Sequence, residues 1–454
     1  MSEKLFGTDG IRGIANRHPV TAEIALKVGR AVAFYFKGHG ARVDGKSVVL
    51  IGKDTRRSSY MIEQALAAGI TSQGAHALLV GPMPTPGVAF LAKSMRADAG
   101  IMVSASHNTY EYNGIKLFGH DGFKLPDDVE AEIERLALSE ELSEALPTGS
   151  QLGRAKRIDD ALGRYVVQVK SVFPQYMDLS GMRVVLDCAN GAAYRAAPLV
   201  FEELGAEVIS IGVSPDGTNI NKDCGATHPA LMISTVQKYR ADIGIALDGD
   251  ADRVILADDH GDLVDGDQVM AVLASDLSQR GLLKKKSVVA TAMSNIGLEI
   301  ALKAHGIEMV YAGIGDRQVV EIMRKQGFNL GGEQSGHIVF SDVGTTGDGT
   351  AAALLLLSVV KRLKKPLSEL RMIMSIVPQV LKNVRIHKKP PLEEVAEICS
   401  AIKRAERSLG RKGRVLVRYS GTEPLCRIMV EGENLEEINR LADDLVGTIT
   451  KSLA

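Results

Sequence analysis

The chain has 454 residues, with 54 Lys+Arg against 55 Asp+Glu, 45% hydrophobic residues, 4% aromatic residues and no Trp. At ~100–200 residues per domain, this length predicts three or four domains. A net charge of −1 lacks the basic excess that nucleic acid or an anionic membrane selects, so a phosphorylated ligand must be neutralised by local groups.

No apolar run approaches the ~18 residues of a membrane span; Ala351–Leu357 is the longest obvious candidate. The start, MSEKLFGTDG, has no signal-peptide core. Cys188, Cys224, Cys399 and Cys426 show no CxxC spacing, so the expectation is reduced thiols in a cytoplasmic protein without a zinc site.

In chain order, FGTDGIRG first offers Arg12, a cation that could approach a ligand or serve structure alone. Residues 47–81 (SVVLIGKDTR…GAHALLVG) then read as strand, polar loop, helix, Gly stop and strand, and GKDTR adds Lys53, Arg56 and Arg57 as further cations. The same plan returns at 183–212 (RVVLDCANGA…GAEVISIG) and at 287–313 (SVVATAMSNIG…GIEMVYAG). The bracketing glycines recur seven residues apart, Gly74 and Gly81, Gly205 and Gly212, Gly306 and Gly313. Each unit is a βαβ crossover, and starts over a hundred residues apart favour three separate α/β domains with mainly parallel sheets.

A second match follows: RADAGIMVSAS from Arg96 and RADIGIALDGD from Arg240 place Ser106 and Asp250 at equivalent positions. The comparable strand end of the third unit is FNLGGEQSGH, 328–337. Ligands of open α/β sheets gather beyond the carboxyl ends of strands, so three such ends facing one cleft predict a composite site. From about residue 372 the pattern changes to a strand at 376–386, a helix at 392–409, a hairpin around SGTEP and a helix at 435–445, a smaller α+β domain.

LDGDADR places Asp248, Asp250 and Asp252 after an apolar run. Three close carboxylates repel unless a hard cation holds them. An EF-hand fails because Arg253 stands where Gly is needed and Asp259 where Glu is normal. Open coordination positions suit Mg²⁺ bridging to a phosphate oxygen; the bland alternative is a solvated acidic turn. SASHN is either turn chemistry or a nucleophile loop. It is no hydrolase elbow, and on an extended segment His107 would point away from Ser106 and make a poor base. A serine beside a metal makes a phosphoryl carrier. RYSGTEP offers the N–H groups of Ser420, Gly421 and Thr422 between Arg418 and Arg427, an anion cradle or a plain hairpin turn. GGEQSGH offers Glu333 and Ser335 to sugar hydroxyls and His337 as a group titrating near neutrality, or it is a Gly-rich loop with a helix cap. A hydrolase needs no second phosphate site and a kinase needs a nucleotide signature. A mutase needs both sites.

FGTDGIRG, GKDTR, GPMPTP, SASHN…NGIK, DGDADR, GEQSGH and RYSGTEP, in that order and across essentially the whole chain, resemble the α-D-phosphohexomutase family, most like its bacterial branch acting on glucosamine phosphates. The resemblance implies three related mixed or parallel α/β domains and a fourth, TBP-like α+β domain around a central cleft. Expected boundaries are 1–152, 153–256, 257–370 and 371–454. It implies Ser106 as a phosphoserine, Mg²⁺ held by Ser106, Asp248, Asp250 and Asp252, sugar binding by Glu333 and Ser335, and phosphate binding by Arg418, Ser420, Gly421, Thr422 and Arg427. Lys116 matches a proton-transfer lysine whose pKa must fall from ~10.4, or whose role a phosphate oxygen must share, and Arg253 and His337 are further candidates near the transfer. Arg12 is carried as a substrate-binding cation.

The implied reaction interconverts glucosamine 6-phosphate and glucosamine 1-phosphate through a bisphosphate that reorients, and a homodimer is implied as well. The rivals are a phosphoglucomutase or phosphomannomutase, a phosphatase, and a catalytically silent sugar-phosphate binder. Two positions depart from the family pattern: Thr109 stands where Pro is usual, predicting a looser loop, and Gln318 where Tyr is common.

Overall fold

The structure is a computed structural model that describes residues 4–7, 9–37, 45–143, 146–410, 413–420 and 424–453. The first sheet contains β1 (Phe6–Gly7), β2 (Gly10–Ile14), β3 (Val48–Lys53), β4 (His76–Pro82), β5 (Ala99–Val103), β6 (Tyr112–Gly119) and β7 (Ala155–Arg157), in the order β1-β2-β6-β5-β3-β4-β7. The second contains β8 (Arg183–Asp187), β9 (Glu207–Ile211), β10 (Ile243–Leu247), β11 (Val254–Ala257) and β12 (Leu263–Val264), ordered β12-β11-β10-β8-β9. The third contains β13 (Ser287–Thr291), β14 (Glu308–Ala312), β15 (Leu330–Gly332) and β16 (Ile338–Phe340), ordered β14-β13-β15-β16.

The repeat is borne out strand by strand, but the sheets are mixed and not mainly parallel, because the strands added at their edges return antiparallel. β3∥β4, β8∥β9 and β13∥β14 are the three crossovers. β5, β10 and β15 lie parallel on the other side of the first strand of each, and β6, β11 and β16 return antiparallel. The glycines that end the crossover helices, Gly74, Gly205 and Gly306, all take positive φ, which no side chain adopts cheaply.

The β3 run VVLI is apolar at every position because both faces are covered. Val49 and Ile51 enter one core with the helices Ala22–Tyr35 and Arg57–Ser72, while Val48 and Leu50 enter another. That second core is continuous through the first three units, from Val48 through Leu186 to Val288 and Leu354.

Two expected boundaries move. β7 pairs with β4 through Ala77↔Ala155, so the first sheet extends beyond residue 152. β11 and β12 complete the second sheet, so a division after 256 would cut β11 and strand β12. Two- and three-residue edge strands carry too little pattern to be read from sequence.

The fourth unit is the three-stranded antiparallel sheet β17 (Gln379–Arg385), β18 (Arg414–Tyr419) and β19 (Leu425–Glu431), ordered β17-β19-β18, backed by helices Ala396–Leu409 and Leu435–Leu453 with a core of its own. The last helix runs eight residues past its expected end, because Leu445, Ile449 and Leu453 continue its buried stripe. Among the described residues, the hydrogen bonds that join the unit to the third gather at one place. Glu431 accepts from the Ile296 N–H at the start of helix Ile296–Ala304, Arg414 donates to the Ser294 carbonyl at 2.6 Å, and Asn295 exchanges two hydrogen bonds with Val377.

Candidate active site

The loops after β4 and β5 both meet the loop after β10 through their backbones. The Thr85 N–H donates to the Asp250 carbonyl at 2.9 Å, and Gly249 lies so close beneath the serine loop that a Cβ there would sit 2.6 Å from the Ser106 carbonyl oxygen. The third unit is stitched on by the Val254 N–H donating to Gly336 O at 3.1 Å and the Gly349 N–H to Ala251 O at 3.0 Å. Three strand ends therefore share one site.

Ser106 is buried and its Oγ donates to Asp248 Oδ2 at 2.7 Å. One carboxylate oxygen from each of Asp248, Asp250 and Asp252 lies within 4.8 Å of the others, all three residues being buried. Thr85 Oγ1 donates to Asp250 Oδ2 at 2.6 Å, and Lys116 Nζ donates to Asp250 at 2.9 Å and Asp252 at 3.2 Å.

Burial, then Asp252 and Asp250, push the Asp248 carboxyl well above its ordinary range. Burial pushes Asp250 up too, but Lys116 and Thr85 outweigh it and bring the carboxyl down to about 2. Asp250 Oδ1 and Asp252 Oδ1 are buried without a hydrogen-bond partner. Three adjacent carboxylates with orphaned buried oxygens are hard donors that fit one divalent cation.

Lys116 is buried against Asp250, Asp252 and, at 3.5 Å, Asp9. Burial pulls its pKa down, but the three carboxylates raise it well above the ordinary value, so with this charge arrangement it is an ammonium and a proton donor, not a free base.

His107 corrects one expectation. Ser106 is left-handed (φ 52°), not extended, so the neighbouring side chains converge and His107 Nδ1 comes to 3.4 Å from Ser106 Oγ. It is a poor base for another reason. Burial, then Arg253 and Arg12, pull its pKa down to about 4, and Arg253 Nη1 points at the same nitrogen from 3.3 Å.

The other expected residues fall at graded distances from this centre. Arg253 lies beside Asp252 (3.8 Å) at the edge of the triplet. Arg12 pairs with Asp9 at 2.7 Å and reaches Asn108 Oδ1 at 3.5 Å. Ser335 is exposed and Glu333 half-buried, with the Gly315 N–H donating to Glu333 Oε1 at 3.2 Å. His337, by contrast, is buried behind the 333–335 loop, 3.5 Å from Asp316 and taking the Gly347 N–H at 3.3 Å.

Gln334 turns its amide to Asp265 at 3.2 Å, the N-cap of helix Gly266–Gln279, and so anchors the loop. On the fourth unit Arg418 and Arg427 are paired across β18–β19, and burial and Arg427 lower the Arg418 pKa. Ser420 closes the hairpin through its N–H to Leu425 O at 2.8 Å, and Lys389 Nζ donates to the Ser420 carbonyl at 2.8 Å. Gly421 and Thr422 lie outside the described residues.

Several participants escaped the sequence reading. Asp9 and Thr85 stand inside FGTDGIRG and GPMPTP without a stated role, and Lys124 bridges Asp9 to Asp316 across the first and third units. Arg56 is no cleft cation. It is fully buried against Asp54 at 2.6 Å and holds the serine loop from beneath, including the Thr109 carbonyl, so the loop is fixed without the proline. Gln318 is exposed in the first turn of helix Asp316–Gln326.

Comparison with known proteins agrees along the full length. Descriptions of phosphoglucomutase/phosphomannomutase α/β/α domains I, II and III match residues 3–144, 163–261 and 265–375, and that of the C-terminal domain matches 381–448. Similar curated proteins include the phosphoglucosamine mutases of Pelobacter propionicus (56% identical, 99% of each chain) and of an Anaeromyxobacter species (54%, 100% of this chain and 97% of that one).

Among solved structures, a phosphoglucomutase/phosphomannomutase family protein of Burkholderia thailandensis superposes with a TM-score of 0.80 at 24% identity (98% of this chain, 97% of that one). Aspergillus fumigatus N-acetylphosphoglucosamine mutase, in complex with GlcNAc-6P and magnesium, does so with 0.70 at 18% (99% and 96%). Matched in all four domains and more than half identical to relatives over nearly its whole length, the chain belongs to the phosphoglucomutase/phosphomannomutase family.

Proposed function

We propose that this protein interconverts glucosamine 6-phosphate and glucosamine 1-phosphate, with Ser106 as the phosphoryl carrier. The observation that carries the reading is Ser106 Oγ at 2.7 Å from Asp248 inside a buried carboxylate triplet, where a phosphoryl group needs a cation beside it. The substrate follows from relatives more than 50% identical that are named phosphoglucosamine mutases.

Asp248, Asp250 and Asp252, with an oxygen on Ser106, would hold Mg²⁺, which when bound offsets charge on the phosphoryl oxygens as a Lewis acid. Glu333 and Ser335 grip sugar hydroxyls, while Arg418, Ser420, Arg427 and the adjoining residues Gly421 and Thr422 hold the phosphate that is not reacting. In transfer, the bond from Ser106 Oγ to phosphorus breaks as a sugar hydroxyl oxygen bonds to it. The hydroxyl proton passes to a phosphoryl oxygen, and the Lys116 ammonium supplies the proton that Ser106 Oγ takes up. Arg253 stabilises the phosphoryl charge from the edge of the triplet, and His337 and Arg12 position the sugar loop and the serine loop. The bisphosphate then turns end for end and returns its other phosphate to the serine.

Four separated free cysteines support a cytoplasmic setting, and among the described residues no helix is long and apolar enough to cross a membrane. A homodimer is part of the same proposal. The test is Ser106→Ala, expected to abolish glucosamine 1-phosphate formation and to remove a stoichiometric ~80 Da addition from the intact mass. Wild-type turnover in that variant refutes the reading, and kcat/KM on glucosamine, glucose and mannose phosphates decides the substrate.

A further inference from the structure

The reacting serine sits on a backbone turned by two side chains from two different units. Arg56, locked by Asp54, donates to the carbonyls of Ser106 (2.9 Å), Asn108 (2.8 Å), Tyr112 (3.0 Å) and Thr109. Asn221, buried in the second unit, sends its Nδ2 to the same Ser106 and Asn108 carbonyls, 2.9 Å each. Two carbonyls thus take two donors apiece, and the left-handed Ser106 is held in a conformation it would not choose alone.

A trans peptide is planar, so its C=O and N–H point in opposite directions. With the Ser106 carbonyl drawn down to Arg56 and Asn221, the His107 N–H of the same peptide faces away from both. That N–H has no hydrogen-bond partner among the described residues. A buried guanidinium at the carbonyl end also polarises the peptide and strengthens the donor at the other end.

We propose that Arg56 and Asn221 are positioning residues that aim the Ser106–His107 peptide N–H at a phosphoryl oxygen carried on Ser106. The proposal rests on the phosphoserine reading above and adds to it a backbone donor set by two side chains that never touch substrate. A preorganised N–H aimed where charge develops lowers the barrier to transfer more than it strengthens substrate binding.

Asn221 has φ 57°, which glycine adopts freely, so Asn221→Gly removes the side-chain donors without straining the backbone. The expected result is a kcat lower by ~10-fold, with KM and divalent-ion affinity within ~2-fold of wild type. The ³¹P resonance of the phosphoserine in the resting protein should also shift. Arg56→Lys, whose single ammonium cannot span four carbonyls, should lose more. If Asn221→Gly does not fold, Asn221→Ser carries the same comparison. Wild-type kcat with an unshifted resonance, or a kcat loss matched by an equal loss of ion affinity, overturns the proposal. A wild-type protein that shows neither phosphoserine nor isomerisation sinks the mutase reading itself, and this inference with it.

Discussion

Thr85 shows how much a single hydroxyl contributes at this site. Its Oγ1 is 2.6 Å from Asp250 Oδ2, the oxygen that Lys116 also holds, and together they keep that carboxyl ionised despite complete burial. Groups behind metal ligands commonly change affinity by 10- to 100-fold when removed. Thr85→Val keeps the shape and the backbone N–H to Asp250 O but removes this donor. Calorimetric titration should show magnesium affinity weakened ~10-fold with the melting temperature little changed; unchanged affinity would mean that Lys116 alone orients Asp250.

Elements add a constraint that no single contact shows. Helix Gly349–Leu363 is capped by Asp348, whose Oδ1 takes the Ala351 N–H at 2.9 Å while the buried Tyr165 hydroxyl donates to Oδ2 at 2.9 Å. Burial pushes the Asp348 carboxyl up to about 6 against these two bonds. The folded chain therefore binds this proton more tightly than the unfolded chain. The associated stability is fully present below pH ~4 and is lost as pH rises through about 6, a change of ~3 kcal/mol. Asp348→Asn cannot titrate and retains a cap. The stability of wild type relative to the variant should thus fall by ~2 kcal/mol between pH 4 and pH 7 in urea denaturation, and a constant difference would contradict it.

The same scale explains what could be read beforehand. The βαβ units were legible because β3, β8 and β13 are buried on both faces and written as apolar runs, each followed by a helix with a glycine stop. Asp248, Asp250 and Asp252 were legible because charge at such density needs a partner. β7, β12 and the true sheet boundaries were not, since an edge of two or three residues is defined by its partner and not by its own pattern. Asn221 and Asp316 were hidden for a related reason. Their roles arise across domain interfaces, from the loop at 106–109 and from Lys124, both more than a hundred residues away.

Across the whole molecule, the first and third units are held by ions. Lys124 lies between Asp9 and Asp316, Arg317 pairs with Glu130 at 2.9 Å and with Asp127, and Arg324 pairs with Asp121 at 3.1 Å. Burial pushes Asp316 up, but Lys124 brings it well below the ordinary carboxylate range, so removing that lysine strands a buried charge. Such losses cost ~3–5 kcal/mol. Lys124→Met should lower the first thermal transition by roughly 6–12 °C in calorimetry, and a wild-type trace would show that the bridge is dispensable.

The fourth unit stands apart from this arrangement, with its own core and its junction at residues 294–297, while Arg418 and Arg427 lie ~13 Å farther along the hairpin from Arg414. Exchanging residues 376–453 for the corresponding segment of a relative would need to match little more than that one contact patch. Transplanting any of the first three units would cut through a shared apolar mass. The proposed grip on the idle phosphate is thus the part of this enzyme that selection, or an engineer, can replace wholesale without touching the serine, the aspartates or the packing that brings them together.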